Sequence, residues 1–154
     1  MATLKKLPNA QYVLAGVFEW NYDDTMANIS GTELAMGADD AATTTFDVMT
    51  PPPGAVVVGG NIKNITVAAT STTSTAIVGD SDDPNRYTEA ATHDLKDADA
   101  PATVFDMLGD HKSYDGSQAI RLTILSDGAQ TAGKFVLTVL MVVPGRANEN
   151  LKTT

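Results

Sequence analysis

The chain has 154 residues, contains no cysteine and carries a formal net charge of −9. A chain of this length forms one domain, whose folding buries roughly two thirds of its accessible surface. Without cysteine the protein has no disulfides and no thiolate metal ligands, so its stability must come from an apolar core or from oligomerisation. The acidic charge argues against binding to nucleic acid or to anionic membranes, because both present phosphate groups.

The sequence contains no apolar run long enough to predict a membrane-spanning helix. A signal peptide is not expected either, because the apolar segment at residues 12–18 is short and leads directly into polar residues. We divide the chain into an N-terminal arm at residues 1–10, a single β-sandwich domain at residues 11–148 and a polar tail at residues 149–154.

The first predicted element is a strand, because the hydrophobic period at its position is two. One face of this segment carries Tyr12, Leu14, Gly16, Phe18, Trp20 and Tyr22. We interpret the aromatic face as part of the core or of a subunit interface, since its apolar neighbours favour burial. The alternative is an exposed platform on which sugar rings stack, as in a carbohydrate-binding module.

The next part of the chain alternates between turn-forming and β-forming composition. Residues 23–42 lack alternation and predict a loop or an extended arm. A strand follows at residues 43–49 and ends at three consecutive prolines, which lack the N–H donors of a sheet ladder. Residues 55–58 resume the β pattern, and Gly59-Gly60 marks a second break or a bulge.

The remaining elements are also mainly β. Residues rich in Thr, Val and Ile between 61 and 78 predict two strands with a turn at 71–74. A short helix is predicted at residues 102–108, after Pro101 and before Gly109, with an irregular insertion as the alternative. Residues 120–124 and 135–143 predict a hairpin with a long loop. The second of these strands is apolar on both faces, which is typical of a strand that is central in a sandwich or lies at a subunit contact. The pattern favours an all-β antiparallel β-sandwich or jelly roll with an extended N-terminal arm.

The acidic loop at residues 79–87 is the most distinctive local feature. Its carboxylates at Asp80, Asp82 and Asp83 are the type of oxygen ligand that calcium takes, although the glycine and glutamate of a complete calcium loop are missing. The favoured interpretation is structural: Asp80 and Asp82 accept hydrogen bonds from loop amides, and a bidentate Arg86 neutralises the carboxylates. The predicted structural loop residues are Gly79, Asp80, Pro84, Arg86 and Tyr87.

Two histidines lie next to acidic residues, as His93-Asp94 and Asp110-His111. A histidine beside a carboxylate is a candidate general base. No nucleophile motif accompanies either pair, so we expect exposed loop histidines, no catalytic residue and no cofactor.

Three segments together resemble the small structural proteins of tailed bacteriophages, specifically capsid decoration (cement) proteins. The first is Val78-Gly79-Asp80 continuing through Arg86-Tyr87, and the second is Lys112-Ser113-Tyr114 before the strand at 119–125. The third runs from Ala132-Gly133-Lys134-Phe135 to Gly145-Arg146-Ala147-Asn148. The resemblance covers roughly residues 55–148.

The resemblance implies a β-sandwich on the outer surface of an icosahedral head, made in the host cytoplasm. It further implies a homotrimer that clamps neighbouring subunits of the major capsid protein. The arm is then expected to contact a neighbouring subunit or the capsid through Leu4, Lys5, Lys6 and Leu7. The alternative function is a phage tail or fibre component, or another β-sandwich module, that binds glycans; a hydrolase acting through either histidine is a third hypothesis.

Overall fold

The computed structural model describes residues 13–38, 40–69, 72–88, 92–98, 102–106 and 112–143, with the backbone alone at 40–43. Over these residues the chain forms ten strands and no helix. The strands are β1 (Leu14–Asn21), β2 (Thr25–Ala27), β3 (Glu33–Ala35), β4 (Asp40–Met49), β5 (Val56–Ala69), β6 (Ser74–Asp80), β7 (His93–Asp94), β8 (Thr103–Val104), β9 (Ile120–Ser126) and β10 (Ala132–Val142). Every pairing between them is antiparallel, which confirms the predicted all-β class.

Eight of the strands form two four-stranded sheets. The first sheet has the order β1-β10-β5-β8 and the second has the order β4-β9-β6-β7, while β2 and β3 pair with each other. Buried side chains from both sheets belong to one apolar cluster, so the sheets pack face to face as a sandwich. Its largest members include Trp20, Phe135 and Leu137 from the first sheet and Phe46, Ile120 and Leu122 from the second.

Strand β10 lies at the centre of the first sheet, between β1 and β5. Phe135, Leu137 and Val139 are fully buried in the core. Val136 and Leu140 point to the opposite face and are half-buried. The prediction that this two-sided apolar strand is central is therefore confirmed.

The predicted hairpin between β9 and β10 is wrong, because these strands belong to different sheets. The chain crosses from the second sheet to the first at residues 127–131. There Gln130 N–H donates to Gly37 O at 2.8 Å and Thr131 N–H donates to Ala69 O at 2.8 Å. Alternation in a sequence shows which face of a strand is buried but not which strand pairs with it, so the hydrophobic pattern did not distinguish a hairpin from a crossover.

The predicted loop at residues 23–42 contains the β2–β3 hairpin and the start of β4. The Asn28 side chain organises the turn, because its Oδ1 accepts the N–H groups of Ser30 at 3.0 Å and Thr32 at 2.9 Å. Gly31 takes φ of 79°, a left-handed conformation that glycine adopts without steric cost. The strands are three residues long, too short for alternation to be visible in the sequence.

The predicted helix at residues 102–108 is also wrong over its described part. Thr103 and Val104 form β8, which pairs with β5, and the next N–H, that of Phe105, donates to Gly60 O at 3.0 Å. The Phe105 ring occupies the space above Gly60, where an added Cβ would lie 2.5 Å from a ring carbon. Tertiary packing of one aromatic ring thus selects the extended backbone over the weak helical propensity of this segment.

Gly59-Gly60 does not interrupt the strand, because β5 continues through both residues. The register shifts beside them, between Leu140 and Met141 of β10, so the alternative prediction of a bulge is correct. The predicted arm and tail lie outside the described residues. The structure also contains no described helix with the length and apolar character needed to cross a membrane.

Replacing Phe135 by Ala should lower the free energy of unfolding by about 3–5 kcal/mol, because the ring is fully buried and contacts Trp20. Urea denaturation followed by Trp20 fluorescence measures the change. Val136→Ala is the matched control, since Val136 is the next residue of the strand and its side chain is half-buried on the outer face of the sheet. Equal losses in the two variants would contradict the assignment of inner and outer faces.

Candidate functional site

The acidic segment forms a tight corner at the end of β6, and Gly79 and Asp80 belong to that strand rather than to the loop. The corner closes when Asp80 N–H donates to Asp83 O at 2.9 Å and Tyr87 N–H donates to Val78 O at 3.0 Å. A Cβ at Gly79 would lie 2.2 Å from Asp83 O, closer than non-bonded atoms approach. Glycine is therefore required here so that the loop backbone can fold back onto the strand.

The Asp80 carboxylate lies at the centre of this corner and is fully buried. Its Oδ1 accepts the backbone N–H of Asp82 at 2.8 Å and of Asp83 at 3.1 Å. Its Oδ2 accepts Arg86 Nε at 2.8 Å. A buried carboxylate is tolerated only with such charged and hydrogen-bonding partners, so the loop is built around the charge.

Two residues from a distant segment complete the cluster. Lys112 Nζ lies 3.3 Å from Asp80 Oδ2 and 2.6 Å from Asp82 Oδ2. The Tyr114 hydroxyl donates to Asp80 Oδ2 at 3.1 Å. Because the Tyr114 proton is committed to Asp80, the short hydrogen bond between the two tyrosine hydroxyls is donated by Tyr87. We call Asp80, Arg86, Tyr87, Lys112 and Tyr114 the Asp80 cluster.

The surroundings of Asp80 decide its protonation. Burial by itself raises the pKa of this carboxyl, but the amides of Asp82 and Asp83 and then the cations of Lys112 and Arg86 outweigh it and hold the pKa below the usual value of an aspartate. The pKa of Tyr114 is raised by burial and by its contacts with Tyr87 and Asp80. Asp80 is therefore ionised and Tyr114 is neutral across the physiological range.

The corner does not have the geometry of the calcium site considered from the sequence. Asp82 is directed at Lys112, and Asp83 Oδ1 accepts the N–H of Asn85 at 3.3 Å. Within the described parts of the chain, no three His, Cys, Asp or Glu side chains converge as metal ligands. These carboxylates thus have donors from the protein itself as partners. The sequence predicted that both Asp80 and Asp82 accept hydrogen bonds from loop amides, and in the structure Asp80 accepts them while Asp82 pairs with Lys112.

The Asp80 cluster also joins the two sheets. Tyr114 N–H donates to Ala55 O at 2.8 Å and Gly54 N–H donates to Tyr114 O at 2.7 Å, directly before β5 of the first sheet. On the other side, the Tyr87 ring stacks on Phe105 at 5.2 Å between centroids. Asp80 itself ends β6 of the second sheet, so one carboxylate fixes the relative position of both layers at this end of the sandwich.

The favoured interpretation of the aromatic face is confirmed at its C-terminal end, where Trp20 belongs to the core, while Leu14 at the start of β1 is 42% exposed. Trp20 is 1% exposed and its ring lies 5.2 Å from that of Phe135. Phe18 is half-buried and lies 5.7 Å from Trp20. Tyr12 lies outside the described residues. A platform for sugar stacking needs an exposed ring face, which Trp20 does not offer.

The expectation that His93 is an exposed loop histidine is wrong, because its side chain is 1% exposed. Its Nδ1 lies 2.8 Å from Thr103 Oγ1 and its Nε2 lies 2.8 Å from Asn64 Oδ1. The Asn64 amide nitrogen donates to two backbone carbonyls, which leaves Oδ1 as the acceptor and places the histidine proton on Nε2. Burial lowers the pKa of His93, and Asp94 only partly opposes this effect.

This histidine therefore serves as a neutral bridge between β7 of the second sheet and two strands of the first. His111 and Asp110 lie outside the described residues, as do Leu4, Lys5, Lys6 and Leu7 of the predicted arm. The roles of Lys112 and Tyr114 beside Asp80 were not predicted from the sequence. The contact joins residues about thirty positions apart in the chain, and no local pattern encodes it.

The chain was compared with known families, curated proteins and solved structures. No family model and no curated protein matches it. A chain of the cyanophage Pam1 capsid asymmetric unit matches with 17% identity and a TM-score of 0.57, covering 94% of this chain and 93% of that chain. A chain of the acidic stable capsid structure of Helicobacter pylori bacteriophage KHP30 matches with 15% identity and a TM-score of 0.53, covering 88% of this chain and 94% of that chain. At this identity the comparisons show a shared fold, and they confirm at that level the resemblance to small structural proteins of phages.

Replacing Asp80 by Asn should lower the free energy of unfolding by about 3 kcal/mol or more, because the Arg86 and Lys112 cations lose their buried counter-charge. Thermal and urea unfolding measure the loss. Asp82→Asn is the matched control, since the Asp82 side chain is 57% exposed and its partners are Lys112 and the Ser81 hydroxyl. An Asp80→Asn protein as stable as the Asp82→Asn protein would contradict a central role for this carboxylate.

The stability of the protein should fall as pH decreases through 6.5, the ordinary pKa of histidine, because the unfolded chain then binds a proton that folded His93 resists. The free energy of unfolding is compared at about pH 7.5 and about pH 5.5 by urea titration. His93→Gln should show a smaller difference between the two pH values than the wild type. An unchanged difference in His93→Gln would show that His93 is not the group responsible.

Proposed function

We propose that the protein is a structural component of a phage virion that decorates and cements the icosahedral head by binding between subunits of the major capsid protein. The observation that carries the proposal is the fold shared with a chain of the Pam1 capsid. The match spans nearly all of both chains, so the shared unit is the whole sandwich. The match to the KHP30 capsid likewise covers 94% of the matched chain.

The physical character of the fold supports such a role. A protein that braces a shell must transmit force without deforming, and close-packed interiors have low compressibility. Here the two sheets share one core and are tied together by the Asp80 cluster at one side and by His93 at another. The net charge of −9 also favours solubility before assembly.

The proposed form on the head is a homotrimer on the outer surface, made in the host cytoplasm before assembly. Each copy then makes a weak contact with the shell, and trimerisation raises the effective affinity without any additional contact. The proposal includes no catalytic residue and no cofactor. Asp80 and His93, whose pKa values are both lowered by their surroundings, have structural partners.

Purified protein should bind to DNA-filled phage heads that lack it and raise the temperature at which those heads release their DNA. Co-sedimentation and calorimetry of heads with and without the protein measure both effects. The mass of the free protein, found by light scattering, tests the trimer separately. Heads that neither bind the protein nor gain stability would contradict the proposed function, whatever the oligomeric state.

Deleting residues 2–10 should weaken binding to heads while leaving the thermal unfolding midpoint unchanged. The reason is that these residues supply the proposed capsid contacts, Leu4, Lys5, Lys6 and Leu7, and that the described core is built from residues of the sandwich. Occupancy is measured by co-sedimentation over a range of protein concentrations. Deletion of residues 149–154 is the control, and equal binding by both deletion variants would contradict the role of the arm.

A further inference from the structure

The first sheet has a face turned away from the core, which we call its outer face. Trp20 of β1 and Phe135 of β10 are register partners and both are buried in the core, so the residues that alternate with them point outward. Val136 and Leu140 of β10 are half-buried on this face. Around them lie four exposed apolar side chains: Val17, Val58, Ile65 and Val104. A concentration of exposed apolar side chains on one face marks an interaction surface.

The strand register places Val17 and Val104 at the two ends of one row across this face. Val17 pairs with Thr138, Thr138 pairs with Asn61, and Asn61 pairs with Val104. Val104 points outward because the hydroxyl of the preceding residue, Thr103, bonds to a side chain in the core. Val17 is 62% exposed and Val104 is 70% exposed, more than any other large apolar side chain of the described chain. We call these four residues the valine row.

Charged side chains occupy the next row of the same face. Glu19 of β1 pairs with Val136, and Val136 pairs with Lys63 of β5, so an acid and a base lie on opposite sides of the sheet. Glu19 forms an ion pair with Lys134, whereas Lys63 has no ion-pair partner among the described residues. Two lysines and one glutamate give the outer face one positive charge, in a chain whose net charge is −9. Copies of this acidic protein therefore repel each other least at this face.

We propose that three copies of the chain assemble through this face, with the strands of the first sheet along a three-fold axis. The proposal rests on the homotrimer of the proposed function and names its interface. At each corner of the trimer the β1 side of one copy meets the β5 and β8 side of the next. Val17 then packs against Val104 of the next copy, and Glu19 pairs with Lys63 of the next copy. This contact is head-to-tail, and it forms a ring when the rotation closes.

The width of the sheet favours three copies. Four strands span three intervals of about 4.8 Å, which gives a face about 14 Å wide. In a triangle of that width the centre lies about 4 Å from each sheet, close to half the distance of about 10 Å at which packed sheets lie. Side chains such as Val136 and Leu140 therefore fill the interior. A ring of four copies would place the centre about 7 Å from each sheet, too far for these side chains to meet.

Paired cysteines test the corner contact, because the chain has no cysteine of its own. The two ends of the valine row lie about 14 Å apart within one chain, so a thiol-to-thiol cross-linker shorter than this distance cannot join them there. Val17→Cys/Val104→Cys protein should therefore give covalent dimers and trimers of the 16.1 kDa chain, and no larger product. Val17→Cys alone should give about tenfold less, because equivalent valines of two copies also lie about 14 Å apart.

Val17→Cys/Ile65→Cys protein is the matched control, since Ile65 is 53% exposed but lies four residues from Asn61 along β5. It should give about tenfold less trimer, because four residues of a strand span about 13 Å. Equal cross-linking of the two double variants would overturn the proposal. So would a series of products that ends at the dimer, or folded Val17→Cys/Val104→Cys protein that gives no trimer either free or on heads.

Charge reversal tests the register independently. Lys63→Glu should raise the protein concentration at which the trimer dissociates by about tenfold or more, because an acid then faces Glu19 at all three corners. Adding Glu19→Lys should reverse most of this change by restoring opposite charges across each corner. Light scattering over a range of concentrations measures both effects. A double variant that dissociates as readily as Lys63→Glu would contradict the register.

Two further measurements separate this inference from other occupants and from the proposed function. Val17→Cys/Val104→Cys protein that cross-links on heads to a shell protein instead of to its own copies would identify the capsid as the partner of this face and overturn the inference. A trimer product that appears only after residues 2–10 are deleted would overturn it too, because the arm would then cover the face. Heads that bind and are stabilised by a protein without this contact would overturn the inference alone and leave the proposed function intact.

Discussion

The buried Asp80 carboxylate is the constraint on which this end of the sandwich depends. An ionised group without solvent is stable only when donors surround it, and here the donors come from three parts of the chain: the corner amides, Arg86 and the segment of Lys112 and Tyr114. The same segment is bonded to the backbone that enters β5. Satisfying one charge therefore fixes a loop, a strand end and the relative position of the two sheets.

The contacts between the sheets are of two kinds with different consequences. The apolar core supplies most of the stabilisation but is not directional, so it does not by itself select one alignment of the two layers. The Asp80 cluster and the bridge made by His93 are directional, because each partner has a defined lone pair or proton. Together they give a sandwich that is both stable and fixed in register, which suits a protein proposed to brace a shell rather than to open and close around a substrate.

Much of the fold was predictable from hydrophobic alternation and turn residues. The strand at β1, the stop at the prolines before β5 and the central position of β10 all have local signals of this kind. The failures share one cause. Each was inferred from a local pattern: the hairpin of β9 and β10, the helix at residues 102–108 and the exposed His93. The choice of strand partner, the position of the Phe105 ring and the burial of His93 depend instead on residues far away in the chain.

The sequence by itself determined the class of the fold, the absence of disulfides and the inward position of Trp20, because composition and a period of two are properties of short segments. It also identified the acidic corner and the residues Gly79, Asp80 and Arg86 within it. Only the tertiary structure decided that Lys112 and Tyr114 complete this corner, that Asp80 rather than Asp82 holds the loop amides, and that β1 and β5 are the neighbours of β10. The physical reason is that the burial of a charge and the pairing of strands depend on which distant segments meet in the folded chain.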